Sequence, residues 1–259
     1  MEKKLYGKKF YNEQMNGSIK SASKIVPFVL EMLKPFEIQS VIDFGCGVGG
    51  WLTQFQKVNS CNIQGLDFGD ADKSQLLIPE NNFKKIDLSQ AVDLKKKYDL
   101  CISLEVAEHI QPEFEDVFID NLCRHSDIIL FSAAMKGQGG TGHVNEQKIS
   151  YWVKKFQKRD YTYYDFIRPH FWYDTDIDVW YKQNMLIFIK TTINTNNCKF
   201  KCLKETYPID IAHPITVWEW SKTYDRIYYD TFFNLGYIYK HHKFLYKFLR
   251  SIIHVFKRK

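Results

Sequence analysis

The sequence contains the stretch Val41-Ile42-Asp43-Phe44-Gly45-Cys46-Gly47-Val48-Gly49-Gly50-Trp51-Leu52, in which an apolar start runs directly into glycines. The Val-Ile pair predicts a buried strand. The glycines allow the backbone to turn sharply after that strand and to approach a ligand closely. Trp51 and Leu52 predict the start of a helix, whose first backbone N–H groups would face the turn. The stretch therefore predicts a strand–loop–helix unit with a ligand at its loop.

The glycines alone do not identify the ligand. Gly45, Gly47 and Gly50 satisfy the G-x-G-x-x-G pattern of dinucleotide sites, which is a weak signal by itself. Asp43 adds to it, because an acid at the strand end can hold a cationic amine directly or through water. A NAD site needs no such partner, whereas S-adenosylmethionine (SAM) carries an amine. The loop therefore favours SAM, with an NAD or nucleotide-sugar enzyme of similar sheet as the alternative.

The next strands end in acids. A second strand is predicted over residues 62–67 and ends in Asp67, about twenty residues past the glycine loop, where a carboxylate can reach ribose hydroxyls. A third is predicted over 83–88 and contains Asp87, which can accept a hydrogen bond from an adenine amino group. A fourth strand is predicted over 98–104. The acids therefore follow the glycine loop in the order that an adenosine ligand requires.

Glu105-Val106-Ala107-Glu108-His109 follows the fourth strand. With D-x-G-x-G and the two acids, this run resembles the class I SAM-dependent methyltransferases. The resemblance implies an α/β fold, a Rossmann-like seven-stranded sheet with helices on both faces, over residues 21–192. It implies SAM as cofactor and S-adenosylhomocysteine as product. The predicted cofactor contacts are Tyr11, Gln14, Asp43, Gly45, Cys46, Gly47, Gly49, Trp51, Asp67, Phe68, Asp87, Leu88 and Glu105.

Hydrophobic periodicity predicts the remaining elements of this domain. Helices are predicted at 21–34, 113–123 and 149–159, and strands at 127–132, 161–167 and 184–190. The last two strands are expected to form an antiparallel pair at the sheet edge. Residues 1–20 are predicted to form a cap segment that folds over the cofactor, with Tyr11 and Gln14 at the methionine end of SAM; simple packing of Tyr11 on the domain is the alternative.

The loop after the fifth strand, residues 137–147, carries the candidate catalytic groups. His143 is predicted to be the general base, because an imidazole titrates near working pH. Asn145 or Glu146 is predicted to orient it; a purely structural His143 is the alternative. A metal site that combines Glu108 and His109 with His143 can be drawn, but the ligand spacing of catechol-type methyltransferases is absent, so no metal is predicted.

A wider resemblance is more specific. The runs 131–134, 137–147, 167–169 and 180–184 look like a bacterial methyltransferase subfamily whose genes often accompany surface polysaccharide synthesis. The resemblance implies a sugar acceptor, such as a GDP-linked heptose or hexose for a capsule. Basic side chains would pair with its diphosphate and aromatic ones would stack on it. The predicted substrate contacts are Lys136, Thr141, Arg168, Trp172 and Tyr181, with Lys182 as a further basic candidate. An amine, a phosphoramidate group, a lipid or a secondary metabolite is the alternative acceptor, and a non-catalytic SAM-fold protein is the alternative from another class.

Composition limits the partners. The 259 residues are 45% hydrophobic and 25% charged, with net charge +6 and pI about 8.8. This is ordinary for a soluble globular protein, and the charge is too small to predict nucleic-acid binding. The start of the chain lacks the apolar segment of a signal peptide, and the six cysteines are scattered, so a cytoplasmic protein with reduced thiols is expected.

The end of the chain differs from the rest. A linker-like polar run, 191–197, precedes a predicted C-terminal extension over 193–259. Residues 237–259 contain seven Lys or Arg and no acid, with apolar residues at helical spacing. This pattern predicts an amphipathic helix that packs on the domain or on a second copy of the chain. The alternative is contact with an anionic surface on the inner membrane face.

Overall fold

A computed structural model describes residues 8–69, 73–200, 209–219 and 222, with side chains described from residue 17 onward and not for Lys73. The chain divides into two units, residues 1–213 and 214–259, and both the sheet and the cleft belong to the first unit. In the second unit, residues 214–219 are helical. The predicted boundary after residue 192 falls inside the first unit. The predicted amphipathic helix over 237–259 lies outside the described residues.

The core of the first unit is a seven-stranded sheet with the order β3-β2-β1-β4-β5-β7-β6. Strands β1 to β5 run parallel, and β7 is antiparallel to both β5 and β6. The strands are β1 Ser40–Phe44, β2 Asn62–Asp67, β3 Phe83–Lys85, β4 Leu100–Leu104, β5 Ile128–Ser132, β6 Tyr161–Tyr164 and β7 Leu186–Lys190. The predicted fold class is confirmed, including the antiparallel β6–β7 pair.

Helices cover both faces of the sheet. They are α1 Lys8–Met32, α2 Gly50–Asn59, α3 Glu115–His125, α4 Ile149–Gln157, α5 Ile167–Phe171 and α6 Val179–Asn184. Val29 of α1 and Phe55 of α2 belong to one buried cluster, and Phe118 of α3 and Trp152 of α4 belong to the other. Strands β4 and β5 are buried throughout, as expected of parallel strands covered on both sides.

Two predicted strands are shorter than expected, because helices take their ends. β6 ends at Tyr164, and α5 begins at Ile167, where the sequence predicted that the strand continues. β7 begins at Leu186, because Asn184 is the last residue of α6. Conversely, α1 begins at Lys8 rather than at residue 21, and so it crosses the predicted boundary of the cap segment. Among the described residues, no helix has the length and apolar character needed to cross a membrane.

The strand order reverses direction at β1. From β1 the chain builds outward through β2 and β3, and then returns to build β4 and β5 on the other side. In open α/β sheets, ligands bind outside the carboxyl ends of the strands at such a reversal, because neighbouring crossovers diverge there. The fold therefore predicts a site beyond the ends of β1 and β4.

Candidate active site

A cleft of about 400 Å³ opens at this position. Its walls come from the end of β1, the glycine loop, the turn after β4, the loop after β5 and the helix α6. The lining residues are Ser18, Asp43, Gly45, Cys46, Gly47, Val48, Gly50, Trp51, Leu104, Glu105, Glu108, His109, Gln138, Gly139, Gly140, Thr141, His143, Trp180 and Tyr181. The cleft thus brings the two glycine-rich loops of the sequence together.

The glycine loop after β1 has the backbone that its sequence predicts. Gly45 adopts a φ of +93°, and a Cβ there would lie 2.3 Å from Val106 Cγ2, so only glycine fits. Gly47 also has positive φ, +52°, but no described atom lies within 4 Å of where its Cβ would be. The loop therefore needs glycine at residue 45 to turn, and at residue 47 it leaves open space beside the cleft.

Two acids, Asp43 and Asp67, lie beside this loop at the ends of β1 and β2. Asp43 lines the cleft at the end of β1 and is only 3% exposed; burial first, and then the nearby charge of Asp67, raise the pKa of its carboxyl well above the usual range. Asp67 accepts hydrogen bonds from the backbone N–H groups of Gly47, at 2.8 Å, and Gly69, at 2.7 Å. Asp67 therefore fixes the loop from the end of β2, and its contact with a ribose remains a prediction.

The other predicted cofactor residues divide between the cleft and its surroundings. Glu105, Cys46 and Trp51 line the cleft. Burial raises the pKa of the Cys46 thiol, which packs against Gly65 of β2 as a small apolar group. Gly49 does not line the cleft but provides the residue before α2, with a φ of +88°. Tyr11 and Gln14 lie in α1, and their side chains are outside the described residues.

The residues predicted to contact adenine lie outside the lining of the cleft. Asp87 is exposed, and its Oδ1 accepts hydrogen bonds from the N–H and hydroxyl of Ser89. Phe68 is 65% exposed, which leaves its ring available to a ligand. Leu88 packs its side chain in the core beside α3, and its predicted contact with the cofactor remains a prediction. The adenine end of the site therefore remains a prediction, carried by Phe68 and Asp87.

A polar network forms around Glu105 at the wall of the cleft. Glu105 follows β4 with a φ of +56°, a conformation that a residue with a side chain adopts only when its surroundings impose it. Its carboxylate accepts hydrogen bonds from Gln138 Nε2, at 3.0 Å, and Asn184 Nδ2, at 3.2 Å. Asn184 also donates to Gln138 Oε1, at 2.9 Å. Both amides lie in runs that the sequence singled out, but neither was assigned a role.

His143 and Glu146 form a hydrogen-bonded pair, with 2.7 Å between Nδ1 and Oε1. Glu146 also accepts the N–H groups of Gly137 and Gly139, each at 2.8 Å, so one carboxylate fixes both the loop and the imidazole. A Cβ on Gly140 would lie 2.3 Å from His143 Nε2, and the missing side chain thus makes room for the ring. The structure thus pairs the predicted base, which lines the cleft, with Glu146 behind it.

Asn145 corrects the prediction made for it. Its side chain is buried and donates to Glu115 Oε2 at 2.9 Å, while Gln147 donates to its Oδ1 at 2.8 Å. Its side chain forms no hydrogen bond with His143 among the described contacts and does not line the cleft. Asn145 instead joins the end of the loop to α3, because the chain at that point has turned into the protein. Its predicted catalytic role is wrong.

Some of the predicted substrate contacts line the cleft and others lie outside it. Tyr181 and Thr141 line the cleft, and the Tyr181 ring packs edge-on against Trp51 at 5.0 Å between centroids. Trp172 lies outside the lining, and its ring packs against His213. Lys136 is exposed and also lies outside the lining. Of the two aromatic residues predicted to contact the acceptor, Tyr181 therefore lines the cleft, together with its neighbour Trp180, and Trp172 does not.

Two basic residues expected at a diphosphate are buried elsewhere. Arg168 is 3% exposed, forms an ion pair with Asp165, and donates to the backbone carbonyls of Gln183 and Ile209. Lys182 is buried and donates to the backbone carbonyl of Asp174 at 2.7 Å. Both cations are fully engaged in holding α5 and α6, and neither lines the cleft. The predicted contact of Arg168 and Lys182 with a phosphate is wrong.

The residues around the loop fit SAM. Asp43 presents a carboxylate to the cleft where a cationic amine could be held, and Gly47 leaves a cradle that any larger residue would fill. Glu105 and Tyr181 line the same space next to the loop. When bound, SAM supplies an electrophilic methyl group on a sulfonium leaving group.

Comparisons with known proteins agree with this geometry. Residues 11–136 match the family described as "Methyltransferase domain". No curated protein matches the chain at the level of sequence. The structure is similar to magnesium protoporphyrin IX methyltransferase from Synechocystis PCC 6803, solved with bound SAM, at TM-score 0.50 and 19% identity, over 72% of this chain and 88% of that one.

Two further solved structures share the fold. DesVI of Streptomyces venezuelae has a TM-score of 0.52 and 12% identity, over 70% of this chain and 95% of its own. The plantazolicin methyltransferase BpumL, solved with a substrate analogue and S-adenosylhomocysteine, has a TM-score of 0.51 and 15% identity, over 69% and 86%. Identities this low establish the fold alone. Together, the domain match over residues 11–136, the class I methyltransferase fold and the residues around the cleft support a SAM-dependent methyltransferase.

Proposed function

We propose that this methyltransferase transfers the methyl group to a hydroxyl, and that the acceptor is a nucleotide-linked sugar used for a surface polysaccharide. The observation that carries the proposal is the His143–Glu146 pair, of which His143 lines the same cleft as the glycine loop. A hydroxyl is a poor nucleophile until its proton is removed, whereas a sulfonium needs little help to leave. A base with a carboxylate partner is what this reaction requires.

The pair has the geometry of a general base. With Nδ1–H donating to Glu146 Oε1, the Nε2 lone pair is free to take the acceptor proton. Glu146 then stabilises the imidazolium that forms, as a carboxylate does in other base–carboxylate pairs. Gln138 and Asn184 hold Glu105 beside the same space, where it can accept a second hydroxyl of the acceptor. In-line attack by the acceptor oxygen follows from this alignment.

Aromatic rings support a sugar as the acceptor. Trp51, Trp180 and Tyr181 line the cleft and offer faces on which a sugar ring can stack. The resemblance to a polysaccharide-associated subfamily, carried by residues 137–147 and 180–184, favours the nucleotide-linked form. Lys136, exposed beside the acceptor loop, remains the basic residue available to a diphosphate.

The test is a screen of GDP-, CDP- and UDP-linked sugars that follows the release of S-adenosylhomocysteine. We expect one class to turn over, and we expect His143→Ala to lower its turnover by about 10²-fold or more without loss of SAM binding. Lys95→Ala, at an exposed ion pair, is the matched control and should leave the rate unchanged. Full turnover by His143→Ala would refute His143 as the base, and no turnover of any hydroxyl acceptor would refute the proposed reaction.

An amine acceptor is the second candidate, and the acidity of the cleft favours it. Asp43, Glu105 and Glu108 line the cleft, and its described lining contains neither Lys nor Arg. A cationic amine would gain from this surface, while a diphosphate would not. An amine with its own lone pair needs less help from a base, so turnover on amines should survive the loss of His143 better than turnover on hydroxyls.

A further inference from the structure

Three side chains converge at the acceptor end of the cleft. Glu108, His109 and His143 each present one ligand atom, and these atoms all lie within 4.8 Å of one another. Glu108 and His109 come from a 3-10 turn, Ala107–His109, that follows β4. His143 comes from the loop after β5, and the two segments are joined by the N–H groups of Val144 and Asn145, which both donate to the carbonyl of Glu108. The cluster is therefore held by the fold rather than by chance contact of mobile side chains.

One carboxylate oxygen of Glu108, Oε2, has no hydrogen-bond partner among the described residues. The residue is 1% exposed. Among the described parts of the chain, no Lys or Arg forms a salt bridge with it, and His143 Nε2 lies 4.0 Å from its Oε1. A buried carboxylate in this state costs several kcal/mol unless a positive charge compensates it. The missing partner at Oε2 points to a cation that the protein is built to hold.

Both imidazoles are already oriented by their other nitrogen. His109 Nδ1 lies 3.2 Å from the carbonyl oxygen of Gly142, and His143 Nδ1 lies 2.7 Å from Glu146 Oε1. Each ring can therefore carry its proton on Nδ1 and offer the lone pair of Nε2 to the cleft. Metal-binding histidines commonly show this arrangement, in which a carbonyl or carboxylate fixes the tautomer and the ring. The absence of a side chain on Gly140 keeps His143 Nε2 accessible.

We propose that Glu108, His109 and His143 bind a divalent first-row transition-metal cation, such as Zn²⁺ or Co²⁺, at the acceptor end of the cleft. Two imidazoles and one carboxylate are a set that these ions prefer, whereas Mg²⁺ favours oxygen ligands. Three protein ligands leave positions open, and all three residues line the cleft, so the open positions face an acceptor. The cation would supply the positive charge that the described lining lacks.

The role of the ion in activating the acceptor rests on the proposed function. The binding of the ion to the three side chains does not. With the cation in place, the Nε2 lone pair of His143 binds the ion and no longer accepts a proton, so in the ion-loaded enzyme this role replaces the one proposed above for His143 as the base. The acceptor hydroxyl oxygen binds the ion. The ion lowers the pKa of that hydroxyl, its O–H bond breaks, and the proton passes to water. The oxygen then forms its bond to the methyl carbon as the carbon–sulfur bond breaks.

The experiment treats the purified chain with EDTA, removes the chelator, and titrates Zn²⁺ by calorimetry and Co²⁺ by visible absorption. We expect one ion per chain and a d–d absorption band typical of mixed nitrogen and oxygen ligands. Glu108→Gln and His109→Ala should each weaken binding by on the order of 100-fold or more, since loss of even an outer partner costs 10- to 100-fold. Glu113→Gln, exposed in the neighbouring turn, is the matched control and should bind like the wild type.

The same variants are titrated with S-adenosylhomocysteine, and retained binding shows that they are folded. No ion bound by wild type at millimolar Zn²⁺ or Co²⁺, or equal binding by folded Glu108→Gln, would overturn the inference. The result is separable from the proposed function. If hydroxyl methylation continues in EDTA with no ion bound, the metal site is refuted and the proposed function is not. If the ion binds to the expected ligands but the enzyme methylates no hydroxyl, the proposed acceptor is refuted and the metal site is not.

Discussion

The two glycine-rich loops of the cleft are anchored in similar ways but from different places. In the loop after β1, Asp67 accepts the N–H groups of Gly47 and Gly69, and this acid belongs to the neighbouring strand β2. In the loop after β5, Glu146 accepts the N–H groups of Gly137 and Gly139 from within the same loop. The first loop is thus held by the sheet, and the second largely by its own side chains. This difference suits a constant cofactor and an acceptor particular to this enzyme.

The largest effect is expected at the anchor of the second loop. Glu146→Ala removes three hydrogen-bond acceptor contacts and releases the His143 ring, so we expect turnover to fall by about 10²-fold or more. Binding of SAM should change little, because the first loop is untouched. Steady-state kinetics and SAM calorimetry on the same preparation measure both. A parallel loss of SAM affinity would show that the two loops are not independent.

Removing the anchor of the first loop should have the opposite effect, with weaker SAM binding and little change in turnover at saturating SAM. Asp67→Ala removes two charge-assisted hydrogen bonds to the glycine loop, and we expect SAM to bind about 10- to 100-fold more weakly. At saturating SAM, turnover should recover to within a few-fold of wild type. The exposed Asp93→Ala is the control, since Asp93 pairs with Lys95 outside the cleft. Unchanged SAM affinity in Asp67→Ala would contradict the anchoring role given to this carboxylate.

A methyl group on the second loop should have a smaller and more local effect. In Gly140→Ala the new Cβ would lie 2.3 Å from His143 Nε2, so the ring must move, and we expect turnover to fall by roughly tenfold. Gly139→Ala is the matched comparison, because no described atom lies within 4 Å of its Cβ, although its φ of +73° adds strain. Equal turnover in the two variants would show that the position of His143 does not limit the reaction.

The smallest effect concerns how the second loop is tied to α3. Burial alone would raise the pKa of Glu115, but hydrogen bonds from Lys155, Tyr151 and Asn145 outweigh it and lower the pKa below the usual value of 4.5. This contact therefore stabilises the fold above pH 4.5, and the contribution is lost as pH falls through the lowered pKa. Urea unfolding at pH 6 and pH 3 should show a steeper loss in wild type than in Glu115→Gln. Equal slopes would remove Glu115 from the pH dependence.

The first loop could be predicted from the sequence because its determinants are local. Apolar strands, glycine spacing and terminal acids placed Asp43, Asp67 and the glycines correctly, since parallel strands bring their carboxyl ends to one edge. The sheet order follows from the same signals. The position of His143 beside Glu146 was also within reach, because the two residues are three apart in one loop.

The errors arose where distant contacts decide the outcome. Arg168 was assigned to a phosphate because it is basic and lies in a run that resembles the polysaccharide-associated subfamily. The chain instead coils into α5, where Arg168 pairs with Asp165. Glu108 received no assigned role from the sequence, because its approach to His143 depends on backbone hydrogen bonds between the loops after β4 and β5. Burial, which no local pattern reports, distinguishes Glu108 from an ordinary turn carboxylate.

The central claim is that the cleft at the end of β1 binds SAM, and calorimetric titration of the wild-type chain with SAM, S-adenosylhomocysteine and NADH tests it most directly. The site described here predicts micromolar or tighter binding of the first two and none of the third. Saturable binding of NADH, with neither SAM nor S-adenosylhomocysteine bound, would contradict the cofactor assignment and every role derived from it.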